Sequence, residues 1–176
     1  NGGSILASRE DLADKISMAI DHGRLDKYRH DFLGSNFRLS EMQCAVGRVQ
    51  LKHLDDWVAR RNEIAVRYNE AFSSLEWTSP PAIREGALHA WHQYVLRVDN
   101  RDEFQSHMDE QGVSTGIHYP IPCHLQPLYE SHTQHRQGAL PITEAICESV
   151  VSIPVHPHLS DDEVDQVISA VCSFTL

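Results

Sequence analysis

The sequence predicts an α/β chain, more closely an α+β fragment, in which one long helix precedes a small domain with a short sheet. Three observations support this fold class. Apolar residues recur every three or four positions over roughly residues 40–74, which is typical of a long amphipathic helix. Residues 78–81 (TSPP) then break the helical pattern. Beyond that break, short apolar stretches alternate with helical ones, which is typical of a small sheet covered by helices.

The first predicted part, residues 1–77, begins with a strand, a helix and a loop. Residues 4–7 (SILA) form a short apolar run and predict the strand. Ser8 is the predicted N-cap of the helix, and Gly23 is its predicted end. The apolar residues of this helix recur at a spacing of four: Leu12, Ile16 and Ile20. Residues 24–39 show no period, and a loop of that length is typically functional.

The long helix closes the first part. Ser40 and Gln43 have the spacing of a capping box, which predicts that the helix begins there. Its period continues to about residue 74, so the predicted helix is longer than most helices of globular proteins. We therefore expect it to bridge two domains or to cross a subunit interface.

The second predicted part, residues 78–176, is the small α/β domain. Its predicted strands cover residues 92–98, 113–119 and 150–155. Its predicted helices begin after Asn100, at Pro141 and after Ser160, where Ser160 and Glu163 form a second capping box. Residues 120–139 are predicted as a loop with a helical turn near residues 125–129.

Composition restricts the possible partners. The formal charge of −10 and the pI of about 5.6 argue against nucleic acid or an anionic membrane, because both attract Lys- and Arg-rich surfaces. No apolar run has the length of a membrane span, and no signal-peptide pattern is present, so we expect a cytoplasmic protein. We expect the cysteines to be reduced and partly buried: Cys44, Cys123, Cys147 and Cys172.

A polar loop, GSNFR at residues 34–38, leads into the long helix and is a candidate anion site. Unpaired backbone N–H groups point outward at a helix N-terminus, and Asn36 and Arg38 add side-chain donors that suit a phosphate or a carboxylate. A purely structural turn is the alternative. In that turn Gly34 would supply an unusual φ angle, Asn36 would make a local side-chain bond, and Arg38 would pair with Glu41.

A second candidate loop, HYPIPCHLQP, spans residues 118–127. Two histidines, a tyrosine and a thiol lie within seven residues: His118, Tyr119, Cys123 and His124. A zinc site is one interpretation, but the spacing matches no common zinc pattern. A binding loop that presents Tyr119 and His124 to a cleft is another, and a structural loop is a third. The other histidines outside this loop, including His132, His135, His156 and His158, are assigned no role.

Several segments together resemble one known family. No nucleophile elbow and no Gly-rich phosphate loop is present, so the residues alone give no complete catalytic set. However, GSNFRLSEMQCAVGRVQLKHLDDWVARRNEIAVRYNEAF resembles the G-x-N-x-R segment of the DegT/StrS sugar aminotransferases, which are fold-type-I enzymes dependent on pyridoxal phosphate (PLP). GVSTGIHYPIPCHLQPLY, LPITEAICESVVSIPVHPHLSDDEVDQVISAV and the opening NGGSILAS resemble further segments of that family in the same order.

The resemblance implies a homodimer with active sites at the subunit interface, formed through the long helix and the GSNFR loop. It implies a large PLP-holding domain, of which residues 1–77 would be the end, and a small C-terminal domain. The implied reaction moves an amino group from glutamate or glutamine to a keto group of a nucleotide-linked sugar. Asn36 would contact the PLP phosphate of the partner subunit, with Arg38 nearby. The loop after His118 would line the substrate side, with His124 the best candidate, Tyr119 weaker, and His118 adjoining them.

One departure from the family pattern concerns lysine. The family forms a Schiff base between PLP and a lysine in the half that precedes the matched segments. The lysines of this chain, Lys15, Lys27 and Lys52, do not lie in that context. We therefore assign no catalytic residue and no metal ligand, and we expect a C-terminal portion that is inactive alone. A non-catalytic module of the same fold, which dimerises or binds a nucleotide-sugar, is the alternative.

Overall fold

The structure is a computed structural model that describes residues 2–131 and 136–175, so His132 and His135 lie outside the described residues. It divides into two compact units, Asn1–His53 and Leu54–Leu176. The domain boundary predicted from the sequence lies later, between residues 77 and 78. The units divide earlier because the second half of the predicted long helix packs its apolar side into the core of the second unit. No helix within the described residues has both the length and the apolar character needed to cross a bilayer.

The first unit contains helices α1 (Glu10–Ile20) and α2 (Glu41–Gln50). Residues 2–7 have no regular structure, so the strand predicted at 4–7 is wrong. A strand needs a neighbour to pair with, and no strand lies in the described residues of this unit. The N-cap of α1 is Arg9 rather than Ser8, and its side chain makes no capping hydrogen bond.

The predicted long helix is two α-helices with a tighter turn between them. The capping box is confirmed: Ser40 Oγ accepts from the Gln43 N–H, and Gln43 Oε1 accepts from the Ser40 N–H. After α2, Leu51–His53 form a 3₁₀ turn, and α3 covers Leu54–Phe72. The helical content is therefore as predicted, and the 3₁₀ turn coincides with the division between the two units.

The second unit has an antiparallel sheet in the order β1 (Thr78–Ser79), β2 (Tyr94–Val98) and β3 (Val150–Ile153). Tyr94 lies opposite Ile153. The strand predicted at 113–119 is wrong. Among the described residues, the only strand-like pairing of this segment is a bridge of Gly116 with Ser152. Val113, its first residue, belongs to the end of a helix, since its N–H donates to Met108 O at 2.8 Å.

Helices cover this sheet. They are α4 (Arg101–Glu110), α5 (Pro141–Ser149) and α6 (Asp161–Cys172), besides α3. All of them except α5 contribute buried residues to one core with the sheet. The second capping box is confirmed, since Ser160 Oγ accepts from the Glu163 N–H. Short 3₁₀ turns at Cys123–Leu125 and Pro127–Tyr129 confirm the helical turn predicted in the long loop. Fully buried residues at the centre of this core are Ile64, Tyr68, Phe72, Tyr94, Leu96, Phe104 and Val164.

Candidate functional site

Residues 21–36 form a loop of the first unit, here called the neck loop. Its two ends lie side by side, and the place where they meet is here called the neck. Asp21 pairs with Asn36 in an isolated bridge, and Ser35 N–H donates to Ala19 O at 2.9 Å. Gly23 and Gly34 cross at this neck. A Cβ on Gly34 would lie 2.7 Å from His22 C and closer still to Gly23 N, so no side chain fits there. The neck therefore fixes the backbone position of Asn36.

The side chains at the neck form a small charged network. Arg38 Nε donates to Asn36 Oδ1 at 3.2 Å, and Arg38 Nη1 lies 3.2 Å from Asp21 Oδ1. Arg24 Nη2 lies 2.6 Å from both carboxylate oxygens of Asp21. The hydrogen bond from Arg24 lowers the pKa of Asp21, with a smaller contribution from the charge of Arg38. One carboxylate thus faces two guanidinium groups, which leaves a net positive charge beside Asn36.

The structural alternative is confirmed in one respect, the local side-chain bond of Asn36 with Arg38, and is wrong about Gly34, which has no positive φ. Arg38 contacts Asp21 and Asn36, whereas the structural alternative paired it with Glu41. The N-terminus of α2 is occupied by its own capping box, and Glu41 places a negative charge in its first turn. The helix terminus is therefore a poor anion site. The exposed donors that remain are the Asn36 NH₂ group, whose oxygen is already used by Arg38, and the guanidinium of Arg38.

The helix that follows this network exposes its apolar residues. None of the ten described residues of α2 is buried, although the helix is amphipathic. Met42 is 78% exposed, and Val46 and Val49 are exposed as well. Exposed apolar rows of this kind mark interaction surfaces in soluble proteins.

Residues 118–124, here called the proline loop, are anchored at both ends. His118 Nδ1 lies 3.0 Å from Ser152 Oγ, a buried side chain of β3. At the other end, His124 is only 7% exposed, and its Nε2 lies 2.9 Å from Glu144 Oε1 on α5. Between these anchors, Tyr119 is 75% exposed. His124, the best candidate by the resemblance, is therefore buried, whereas His118 and Tyr119 are exposed.

Glu144 holds more than one segment. Besides His124, its carboxylate accepts the N–H groups of Gly138 at 2.8 Å and Leu140 at 3.1 Å. The Gly138 hydrogen bond, followed by that of His124, lowers the pKa of the Glu144 carboxyl. Sequence reasoning missed Glu144, and likewise Asp21 in the first unit. The available signal was weak: each is one carboxylate in an acidic chain, and its partners lie in other segments.

The zinc interpretation of the proline loop finds no support in this geometry. Within residues 2–131 and 136–175, no group of three or more His, Cys, Asp or Glu side chains is placed to hold a metal ion. Cys123 is exposed, as are Cys44 and Cys172, so the expectation of partly buried cysteines holds only for Cys147.

The predicted site residues thus form two sets in different units. Asn36 and Arg38 belong to the first unit, and His118, Tyr119 and His124 belong to the second. The model of the DegT/DnrJ/EryC1/StrS aminotransferase family matches residues 1–172. The chain belongs to this family.

Individual relatives agree with the family assignment. The erythromycin biosynthesis sensory transduction protein EryC1 of Saccharopolyspora erythraea is 40% identical over 171 residues, which are 97% of this chain and 46% of that protein. The dTDP-3-amino-3,4,6-trideoxy-alpha-D-glucose transaminase of Streptomyces venezuelae is 37% identical over 97% of this chain and 45% of its own length. The chain therefore spans about half the length of the curated relatives it matches.

Solved structures show the same fold. The crystal structure of Streptomyces venezuelae DesV in complex with ketimine intermediate superposes with a TM-score of 0.90 at 37% identity, covering 94% of this chain and 44% of DesV. An aminotransferase of the same family from Brucella abortus superposes with a TM-score of 0.86 at 32% identity. The α/β fold class predicted from the sequence is confirmed.

Proposed function

We propose that this chain is the C-terminal part of a PLP-dependent aminotransferase that transfers an amino group from glutamate or glutamine to a keto group of a nucleotide-linked sugar. The observation that carries the proposal is the exposed Asn36–Arg38 donor pair, held at a rigid neck in a member of an aminotransferase family. Two relatives named as transaminases of dTDP-linked amino sugars support the substrate class. By itself the chain is proposed to be inactive, because none of its three lysines matches the Schiff-base position.

The donors at the neck suit the phosphate of PLP. A phosphate accepts N–H hydrogen bonds and prefers a positive environment. Asn36 uses its amide oxygen to accept from Arg38, so its NH₂ group is the end available to a ligand. Asp21 would repel a phosphate if it stood alone, but Arg24 and Arg38 outweigh its charge. The residues present therefore fit the group.

In the proposed reaction, this chain positions the cofactor and the substrate and neutralises charge on the phosphate. PLP, when bound, supplies the electron sink for amino transfer. Asn36 would hold the phosphate in the partner subunit's site through its amide N–H, and Arg38 would contribute positive charge there. The proline loop, with His118, Tyr119 and His124, would line the substrate side, and His118 and Tyr119 are exposed there.

The partner subunit is proposed to be a second copy of the complete protein. The apolar row of Met42, Val46 and Val49 on α2 lies directly after the neck network in the chain, and its exposure supports a role in association. The proposed homodimer would bury this row and bring the neck loop to the neighbouring site.

A PLP titration tests the proposal. The complete enzyme that contains this chain is compared with its Asn36→Ala and Asn36→Asp variants, and Asn100→Ala in the second unit serves as a matched asparagine control. We expect weaker PLP binding for Asn36→Ala, by roughly tenfold for the loss of one hydrogen bond to a charged group. Asn36→Asp should bind more weakly still, since it adds a like charge beside the phosphate. Wild-type PLP affinity in both Asn36 variants would contradict the proposal.

A further inference from the structure

The contacts of Glu144 carry a second inference, which concerns a residue that the family motifs did not single out. Glu144 is half-buried on α5, twenty residues after His124 in the chain. Its side chain is 13% exposed, and that of His124 is 7% exposed, so water screens this contact little. A buried charged side chain of this kind needs hydrogen-bond partners, and Glu144 has three.

The geometry fixes which nitrogen of His124 carries a proton. A carboxylate only accepts hydrogen bonds, so the Nε2 that faces Glu144 Oε1 at 2.9 Å is the donor. In a neutral imidazole the proton then sits on Nε2, and Nδ1 is an acceptor. The same contact fixes the plane and direction of the ring.

The contact also fixes the backbone of the proline loop. His124 is the middle residue of the short turn at Cys123–Leu125, which immediately follows Pro122. The opposite end of the loop is held by His118 on Ser152. The exposed Tyr119 therefore lies on a short loop whose two ends are fixed to β3 and α5. A large movement of the loop would break one of these two histidine contacts.

We propose that Glu144 is a positioning residue, which holds His124 as the Nε2-protonated tautomer and thereby fixes the proline loop and Tyr119 for the substrate. This inference rests on the proposed function for its last step only. Histidine orientation by a carboxylate is a general device of protein sites, and loss of the carboxylate typically weakens the dependent function without abolishing the fold.

The first test is independent of activity. We would measure the ring nitrogen shifts of His124 by NMR in the wild-type chain, in Glu144→Gln and in Glu148→Gln. Glu148 lies on the same helix, is exposed, and undergoes the same change of charge. We expect the Nε2-protonated form in wild type and Glu148→Gln, and a slower-exchanging Nε2–H there than in Glu144→Gln. A wild-type His124 protonated on Nδ1 alone would overturn the proposal, as would identical exchange in all three proteins.

The second test separates positioning from direct contact in the complete enzyme. His124→Gln keeps an N–H donor near the place of Nε2, whereas His124→Leu removes it. For a positioning role, Glu144→Gln and His124→Leu should raise KM for the keto sugar by about tenfold or more with unchanged PLP affinity, and His124→Gln should restore most of the loss. Equal loss in His124→Gln and His124→Leu would overturn it. If the complete enzyme transfers no amino group at all, the proposed function fails, while the NMR result still decides the role of Glu144.

Discussion

Gly23 and Gly34 approach closely at the neck, and the structure gives the size of the destabilisation expected when a side chain is added there. In Gly34→Ala, the new methyl group would lie 2.7 Å from His22 C and 2.8 Å from Ala19 O, while ordinary van der Waals contact begins at 3.4 Å. These backbone atoms would have to move by at least 0.6 Å, and Gly23 N by more. Ala19 O also accepts the Ser35 N–H, so the movement strains a hydrogen bond of the neck.

The expected cost is that of overpacking against backbone, about 1–3 kcal/mol. Hydrogen exchange of the His22, Ser35 and Phe37 amides measures it locally, because all three donate to carbonyls across the neck. Their protection should fall by roughly one to two orders of magnitude in Gly34→Ala, since each 1.4 kcal/mol is a factor of ten. In the complete enzyme, PLP binding should weaken as well, because Asn36 is displaced.

A matched control is available in α2. A Cβ at Gly47 would meet nothing within 4 Å, and alanine is the better helix former by about 0.5–1 kcal/mol. Gly47→Ala should therefore leave neck protection unchanged. Wild-type exchange at the neck amides in Gly34→Ala, or equal effects of the two substitutions, would refute the reasoning.

Three further predictions concern the second unit. Phe72→Ala empties a fully buried site in the aromatic cluster and should lower the urea-derived free energy of unfolding by about 3–5 kcal/mol. Ser160→Ala removes a capping box and should cost about 1 kcal/mol in the same assay, whereas a loss below the error of the fit would speak against the cap. Glu144 has a folded pKa below its ordinary 4.5, so its stabilisation is present above that value and is lost as pH falls through the lower folded pKa. The wild-type Tm should therefore drop more steeply in acid than that of Glu144→Gln, while Glu148→Gln should keep the wild-type slope.

Local signals in the sequence predicted the helices well. The two capping boxes marked the starts of α2 and α6, and periodicity predicted α4 and the end of α3 to within a few residues, with α2 and α3 as one helix. The failures were strands. The strand at residues 113–119 failed because strand pairing is non-local, and only Gly116 meets a partner on β3. The run at residues 4–7 is apolar, but periodicity does not show whether a neighbour exists to pair with it.

Of the candidate site, only the residues that belong to a recognisable motif could be predicted from the sequence. Asn36 and Arg38 were found because loop polarity and the family resemblance both pointed to them. Their contacts with Asp21 were not predicted, because the neck brings together residues that lie about fifteen positions apart in the chain. The burial of His124 depends in the same way on Glu144, which lies in another element. Tertiary contacts of single charged residues leave almost no trace in a sequence pattern.

A mixed-dimer measurement tests the central claim most directly. One copy of the complete enzyme would carry Asn36→Ala, and the other would keep Asn36 but lack its Schiff-base lysine. At a PLP concentration that saturates the wild type but not Asn36→Ala, each variant alone should have reduced amino transfer. If Asn36 serves the neighbouring subunit, the mixed dimer contains one site with both the lysine and a partner's Asn36, and activity should return on mixing. If activity does not return although mixed dimers form, Asn36 does not act across the subunit interface, and the account is contradicted.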